Sequence, residues 1–128
     1  MLDDRNTTIS SHQYVTDGSW NRQKNLTGWS CLLGGRAGGS EVDSYTAPGR
    51  ATDLAELPTT FIDVTSAEVF RDEVVAYATL LWASGVQAEL HVWPGGFHGS
   101  DMLVPTAVLS KVARATRKAW VSRTFADK

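Results

Sequence analysis

Two predicted loops of this 128-residue chain carry residue types suited to acid–base chemistry. The segment 65–73 contains the carboxylates Glu68 and Asp72, and the segment 94–99 contains His98. Each segment follows a predicted strand, and the carboxyl ends of adjacent parallel strands lie at one edge of a sheet. A carboxylate that meets an imidazole there fixes the tautomer of the histidine and stabilises its charged form. Serine hydrolases require such a pair for proton transfer.

Hydrophobic patterning predicts the elements that position these loops. Residues 59–64 follow Pro58 and are rich in β-branched and aromatic side chains, which favours a buried strand. Residues 87–93 alternate between the two faces of a second strand. Between them, residues 72–84 predict a helix that ends at Gly85. Strand, helix and strand in this order predict a right-handed βαβ unit with parallel strands, and hence an α/β fold. The apolar face of the helix comprises Val74, Tyr77, Ala78 and Leu81.

The chain divides into two unlike parts. Residues 1–57 are rich in Gly, Ser, Thr and Asn and predict a loop-rich segment with one short helix at 26–33. Residues 58–128 contain the βαβ unit and a last helix at about 105–125, so this part predicts a βαβα arrangement. Residues 34–40 are rich in glycine, but they lack the Gly-Lys pair of a phosphate-binding loop and no predicted strand precedes them, so such a loop is not predicted. The buried side of the last helix is predicted to comprise Leu109, Val112, Ala113, Thr116 and Trp120.

Composition narrows the class of protein. The formal net charge of −2 gives no electrostatic reason to expect nucleic acid or an anionic membrane as partner. No apolar run reaches the roughly 18 residues of a membrane helix. Cys31 is the only cysteine, which excludes an internal disulfide and fits a cytoplasmic location. Composition therefore gives no reason to expect a nucleic-acid or membrane partner.

Short motifs follow one another along the second part of the chain, namely Phe70-Arg71-Asp72-Glu73, Tyr77-Ala78, Gly85-Val86, Glu89-Leu90, Pro94-Gly95 and His98-Gly99. Their order and spacing resemble one protein family. The chain is similar to the C-terminal part of the hormone-sensitive-lipase-like branch of α/β-hydrolases, an esterase branch. The resemblance implies that Glu68 is the acid and His98 the histidine of a catalytic triad, with no metal or organic cofactor. Three residues depart from the pattern, since Glu68 replaces the usual Asp, Thr65 a frequent Gly and Ser100 a usual Phe.

Other titratable residues offer competing assignments. Asp72 is a rival acid, although its position favours a helix cap, and Asp63 lies within the first strand. His91 is expected to be an ordinary strand residue, and His12 falls in a predicted polar loop. A zinc site would need His91, His98 and Asp101, but these residues lack a recognised ligand spacing.

The nucleophile of such a triad is missing from the sequence. In this fold the serine lies in a Gly-x-Ser-x-Gly turn, and no serine here has glycine at both positions −2 and +2. A Gly-rich oxyanion loop is missing too. The resemblance thus implies a C-terminal fragment of an α/β-hydrolase domain, incomplete as a full domain. An open sheet edge predicts self-association. The alternatives are an inactive truncated remnant or pseudoenzyme that binds a partner, and a chain complemented by a separate N-terminal half.

Overall fold

The computed structural model describes residues 1–126 and contains a two-stranded parallel sheet with helices on both faces. Strand β1 pairs with β2 from Thr60 opposite Ala88 to Thr65 opposite Trp93. The predicted α/β class and parallel βαβ unit are confirmed. In chain order the α-helices and strands are α1 (Ile9–Gln13), α2 (Arg22–Leu33), β1 (Thr60–Thr65), α3 (Arg71–Ala83), β2 (Ala88–Trp93), α4 (Ser100–Leu103) and α5 (Val108–Phe125), with short 3₁₀ helices at Gly34–Arg36 and Pro48–Arg50.

The crossover helix α3 ends where the sequence predicts. Gly85 adopts a φ of 79°, which favours glycine, and its N–H donates to the carbonyl of Trp82. The N–H of Val86 donates to the carbonyl of Leu81, and the two side chains pack in one buried cluster. This pair of hydrogen bonds and apolar contact form a Schellman cap, which returns the chain to the sheet for β2.

The two faces of the sheet bury different kinds of side chain. On one face, Ile62, Val64 and Leu90 join the apolar cluster that includes Val74 of α3. On the other, Phe61 and His91 stack with ring centroids 5.4 Å apart. Helix α5 covers this second face, where Trp120 lies 5.6 Å from Phe61. The predicted alternation along β2 is therefore confirmed.

The first 57 residues contain more helix than predicted. Helix α1 was not expected, because its five residues show no apolar repeat. Its N-terminus is capped by the side chain of Thr8, which accepts a hydrogen bond from Ser11 N. His12 consequently lies in a helix and not in a loop. Helix α2 begins at Arg22, earlier than predicted, because Asn21 caps it by accepting a hydrogen bond from Lys24 N.

This first segment also packs onto the second. Leu2 and Trp20 lie against the cluster beneath β1, and Leu54 is buried with Leu81 and Val86. The segment therefore covers the α3 side of the sheet. The division into domains at residue 57 stays a prediction, and residues 127–128 of the predicted second part lie outside the described residues.

The C-terminal helix begins later than expected. Residues 100–103 form the separate helix α4, and α5 starts at Val108 and not near Pro105. Ala113 of α5 is buried as predicted, but Val112 is 47% exposed because no described element covers that side of the helix. None of the helices within residues 1–126 combines the length and apolar character needed to span a membrane.

Candidate active site

Glu68 lies in the loop that follows β1 and is held by its own strand end. Its Oε1 accepts hydrogen bonds from the backbone N–H of Thr65 at 2.7 Å and from the Thr65 hydroxyl at 2.8 Å. Its Oε2 lies 2.6 Å from Nδ1 of His98. The residue is only 5% exposed, so these contacts replace water around both carboxylate oxygens. The predicted proximity of the two side chains is confirmed.

The environment of Glu68 favours its charged form. Burial acts to raise the pKa of this carboxyl, but the hydrogen bonds from His98 and Thr65 outweigh that effect and lower the pKa below its ordinary value. The group is therefore a carboxylate near neutral pH. A buried carboxylate at this distance stabilises positive charge on the imidazole of His98.

The loop that carries His98 is tied directly to the loop that carries Glu68. The N–H of Ser66 donates to the carbonyl of Trp93 at 2.8 Å, and the N–H of Ala67 donates to the carbonyl of Gly96 at 3.0 Å. These bonds extend the parallel pairing of β1 and β2 beyond the strands. The two catalytic candidates thus sit on loops that cannot separate without breaking backbone hydrogen bonds.

Two aromatic rings and a hydroxyl hold His98 from the other sides. The Phe70 ring meets the imidazole edge-on with centroids 5.1 Å apart, and the Trp20 ring lies 6.2 Å away. The Ser19 hydroxyl donates to the carbonyl of His98. Sequence analysis assigned none of these three residues to the site, although Phe70 belongs to a motif that carries the family resemblance. Ser19 and Trp20 are almost eighty residues distant in the chain, and no spacing rule connects them to the histidine.

The orientation of the imidazole leaves one nitrogen for proton transfer. Because Nδ1 of His98 points at Glu68 Oε2, the neutral ring bonded to a carboxylate carries its proton on Nδ1. Nε2 is then the basic nitrogen. The His98 side chain is 43% exposed, so a reacting group can approach it. The arrangement can accept a proton at Nε2 and return it.

A cavity of about 240 Å³ lies beside this pair, on the α5 side of β1. Its charged lining includes Arg117 of α5, which bridges Asp63 and Asp101. The remaining lining residues are Val64, Thr65, Glu68, Trp93, His98, Gly99 and Met102.

The rival acids have other partners. Asp72 accepts from Ser10 N of α1 at 2.7 Å and from Arg71 Nε at 2.7 Å. It makes no side-chain cap for α3, so the cap interpretation is wrong: the carboxylate instead bonds the first turn of the neighbouring helix. Asp63 accepts from Trp93 Nε1 and from Arg117, on the far side of the sheet from α3.

The other strand histidine is separate from the site. His91 stacks on Trp93 with centroids 5.1 Å apart, and its Nε2 lies 2.8 Å from Glu89. Asp101 is paired with Arg117. Within residues 1–126, no three His, Cys, Asp or Glu side chains come together as a metal-binding group, so the zinc alternative receives no support from the geometry.

Comparison with known proteins places this chain in a family. A family model described as an alpha/beta hydrolase fold matches residues 1–102. The chain belongs to the α/β-hydrolase family. The resemblance to its hormone-sensitive-lipase-like esterase branch is confirmed by the esterases that the chain matches.

Among curated proteins, the chain is 41% identical over 64 residues to esterase LipI of Mycobacterium tuberculosis (strain ATCC 25618 / H37Rv), a match covering 48% of this chain and 20% of that protein. Among solved structures, a bacterial heroin esterase is 40% identical with a TM-score of 0.86, covering 91% of this chain and 37% of that one. Esterase LipW from Mycobacterium marinum is 32% identical with a TM-score of 0.90, covering 98% and 38%. The chain therefore spans about two fifths of these structures and a fifth of the curated relative.

Proposed function

We propose that this chain supplies the acid and the base of a carboxylic ester hydrolase. The observation that carries the proposal is the 2.6 Å contact between Glu68 Oε2 and His98 Nδ1, at the carboxyl ends of two parallel strands. Membership of a family whose matched members are named esterases supports the reaction class. We propose a short acyl ester as substrate, and a cytoplasmic location for the protein.

The proposed reaction moves one proton back and forth through His98. Nε2 takes the proton of a serine hydroxyl as its oxygen attacks the ester carbonyl, and Glu68 stabilises the resulting imidazolium. Collapse of the tetrahedral adduct breaks the bond to the alkoxy oxygen, which leaves as an alcohol with the proton from Nε2. Water, deprotonated by the same nitrogen, then attacks the acyl-serine. The carboxylic acid departs and the serine hydroxyl regains its proton.

We propose that the nucleophilic serine comes from outside these 128 residues. No serine of the sequence lies in Gly-x-Ser-x-Gly, the turn that exposes the nucleophile in this fold. Ser100 is near His98 in sequence, but its backbone N–H donates to the Phe97 carbonyl and it begins helix α4, so it lacks the strand-to-helix turn. We accordingly expect the chain alone to show no fluorophosphonate labelling of any serine, measured by mass spectrometry.

A chimera tests the roles of the two residues. The chain would replace the part of the Mycobacterium marinum esterase LipW that it matches, with a TM-score of 0.90. We expect hydrolysis of p-nitrophenyl acetate, a kcat reduced roughly 10⁴- to 10⁶-fold by His98→Asn, and roughly 10⁴-fold by Glu68→Gln.

Two variants are matched controls for this chimera. His91→Asn removes the other histidine that contacts a glutamate, and Asp72→Asn neutralises the rival acid. Both should retain kcat within a few fold. A chimera that hydrolyses the ester equally well with Asn at position 98 would overturn the proposal.

The second candidate is an inactive remnant that acts as a binding protein. It is favoured by the missing serine motif. The two candidates differ in the chimera: a remnant that has lost its catalytic geometry gives a folded but inactive hybrid. The DNA upstream also separates them, because an open frame encoding Gly-x-Ser-x-Gly favours the hydrolase.

A further inference from the structure

Arg117 joins the two loops of the candidate site from behind. Its Nε donates to Asp63 Oδ2 at 2.9 Å, and its Nη1 donates to Asp101 Oδ2 at 2.7 Å. Asp63 lies on β1, two residues before Thr65, which binds the acid. Asp101 is the second residue of helix α4, three residues after His98. One guanidinium thus connects β1, which is followed by the Glu68 loop, to helix α4, which follows the His98 loop.

We propose that Arg117 is a positioning residue for the Glu68–His98 pair: it fixes the exit of the histidine loop against β1 and so holds His98 Nδ1 on the carboxylate. This inference rests on the proposed function, because the Arg117 ion pairs can position catalytic groups only if Glu68 and His98 act in catalysis.

The histidine loop, residues 94–99, is anchored differently at its entry from β2 and at its exit into α4. The entry is fixed by backbone bonds, such as the one from Ala67 N to the Gly96 carbonyl. No strand within residues 1–126 pairs with the exit. Three contacts attach it to α5: the Asp101–Arg117 ion pair, a weaker bond of 3.3 Å from the Ser110 hydroxyl to the Ser100 carbonyl, and a hydrogen bond from Arg114 to the Pro105 carbonyl. Of these contacts, the ion pair is the one that continues to β1 through Asp63, so loss of the guanidinium would remove this link between the exit and the strand while leaving the entry in place.

The geometry suits a rigid connection. A planar guanidinium that donates through two different nitrogens fixes direction as well as distance. Asp63 is itself held by Trp93 Nε1, which donates to the same oxygen at 2.9 Å. Burial acts to raise the pKa of Asp101, but the hydrogen bond from Arg117, the positive charge of Arg117 and backbone hydrogen bonds together outweigh burial and lower that pKa, so the pair is charged at neutral pH. The charges lie beside the cavity next to His98.

Helix α5 offers a matched control. Arg123 lies on the same helix and also pairs with a strand carboxylate, that of Glu89 on β2. Its ion pair lies away from the His98 loop. Arg117→Gln and Arg123→Gln thus each remove one guanidinium from α5, and only the first removes a connection to the histidine.

The experiment measures the His98 Nδ1 proton in the full 128-residue chain by NMR at pH 7. The signal is assigned by its loss in Glu68→Gln, and its rate of exchange with water reports how often the hydrogen bond opens. We expect Arg117→Gln to increase this rate about tenfold or more, and Arg123→Gln to change it less than twofold. Arg117→Lys should give an intermediate rate, because an ammonium reaches the carboxylates as a point charge without the planar geometry.

A second variant separates loss of the connection from general unfolding caused by Arg117→Gln. Asp101→Ala breaks the connection on the loop side and leaves the Arg117–Asp63 pair, so it should also accelerate exchange. Equal exchange rates in Arg117→Gln, Asp101→Ala and Arg123→Gln would overturn the inference while the proposed function stands. If the parent chain shows no Nδ1 proton that depends on Glu68, the proposed function fails and the inference fails with it.

Discussion

Gly96 lies so close to Thr65 that a side chain at position 96 would collide with it. A Cβ atom there would stand 2.6 Å from Thr65 Cγ2 and 3.2 Å from Cδ2 of Leu109. The glycine is buried, and its carbonyl accepts the hydrogen bond from Ala67 N. The two loops of the site meet at this point, and Thr65 also binds the acid. The close approach therefore couples backbone packing to the geometry of Glu68.

Gly96→Ala should disturb the site through this contact. The added methyl group must push the two loops apart, because a contact of 2.6 Å lies well inside van der Waals distance. We expect a loss of about 1–3 kcal/mol in the free energy of unfolding. In the LipW chimera we expect roughly a hundredfold lower kcat. Urea denaturation and steady-state kinetics measure the two effects.

Gly35→Ala is the control for this substitution. Gly35 has open space around its Cβ position and no positive φ, so both quantities should stay near the parent values. Equal effects of the two substitutions would show that the Gly96 contact does not couple the loops.

Thr65→Val should weaken the stabilisation of the acid. Valine keeps the shape of threonine but removes the hydroxyl that donates to Glu68 Oε1 at 2.8 Å. We expect the pKa of Glu68 to be lowered less, and the free energy of unfolding at pH 7 to fall by about 1–3 kcal/mol. Because the folded pKa is lowered, this stabilisation is complete above the ordinary glutamate range and is lost as the pH falls through the folded value. The difference between variant and parent should thus shrink in acid.

Thr60→Val provides the comparison at the other end of β1. Its hydroxyl donates to the carbonyl of Pro58 at 2.8 Å, in an exposed position with no charge involved. Urea denaturation of both variants at several pH values should show a pH-dependent loss for position 65 only. A loss at position 65 that stays constant from pH 7 to pH 3 would contradict this account.

The sequence predicted the regular half of the fold because its signals are local. Alternation in β2 and the apolar repeat of α3 both depend on neighbours in the chain, and parallel strands bring their carboxyl ends together wherever they occur. The meeting of Glu68 and His98 follows from those two facts and the family resemblance. Ser19, Trp20 and Arg117 could not be predicted in this way. Each reaches the site through a long-range contact to which no local pattern points.

The open sheet edges predict self-association. Each of the two described strands pairs on one side only, which leaves backbone donors and acceptors on the other. Several large apolar side chains of α4 and α5 are exposed as well, among them Met102 at 76% and Val108 at 78%. We expect dimers whose population rises with concentration in light scattering coupled to size exclusion. A monomer at all concentrations, melting in one cooperative transition, would count against this.

Glu73 gives the chain an unusual pH dependence of stability. The residue is 7% exposed, and its Oε1 accepts from Leu2 N at 2.7 Å. Burial is the main cause that raises its pKa to about 7, although the Leu2 hydrogen bond and the terminal amine of Met1, 4.0 Å away, act in the opposite direction. A carboxyl with a raised folded pKa stabilises the protein fully below its unfolded value and loses that contribution as the pH rises through the folded value. The loss falls between about pH 4.5 and 7 and amounts to roughly 3 kcal/mol.

Glu73→Gln should remove this dependence, because the amide cannot ionise and its oxygen can still accept from Leu2 N. We expect the variant to be more stable than the parent at pH 8, with the difference closing towards pH 4, in urea denaturation across that range. Glu89→Gln should show the opposite sign. His91 first and Arg123 second lower the pKa of Glu89, so its loss destabilises the chain at neutral pH and matters less in acid. If the stability difference from the parent changed with pH in the same direction for both variants, burial would not be the main cause of the raised pKa of Glu73.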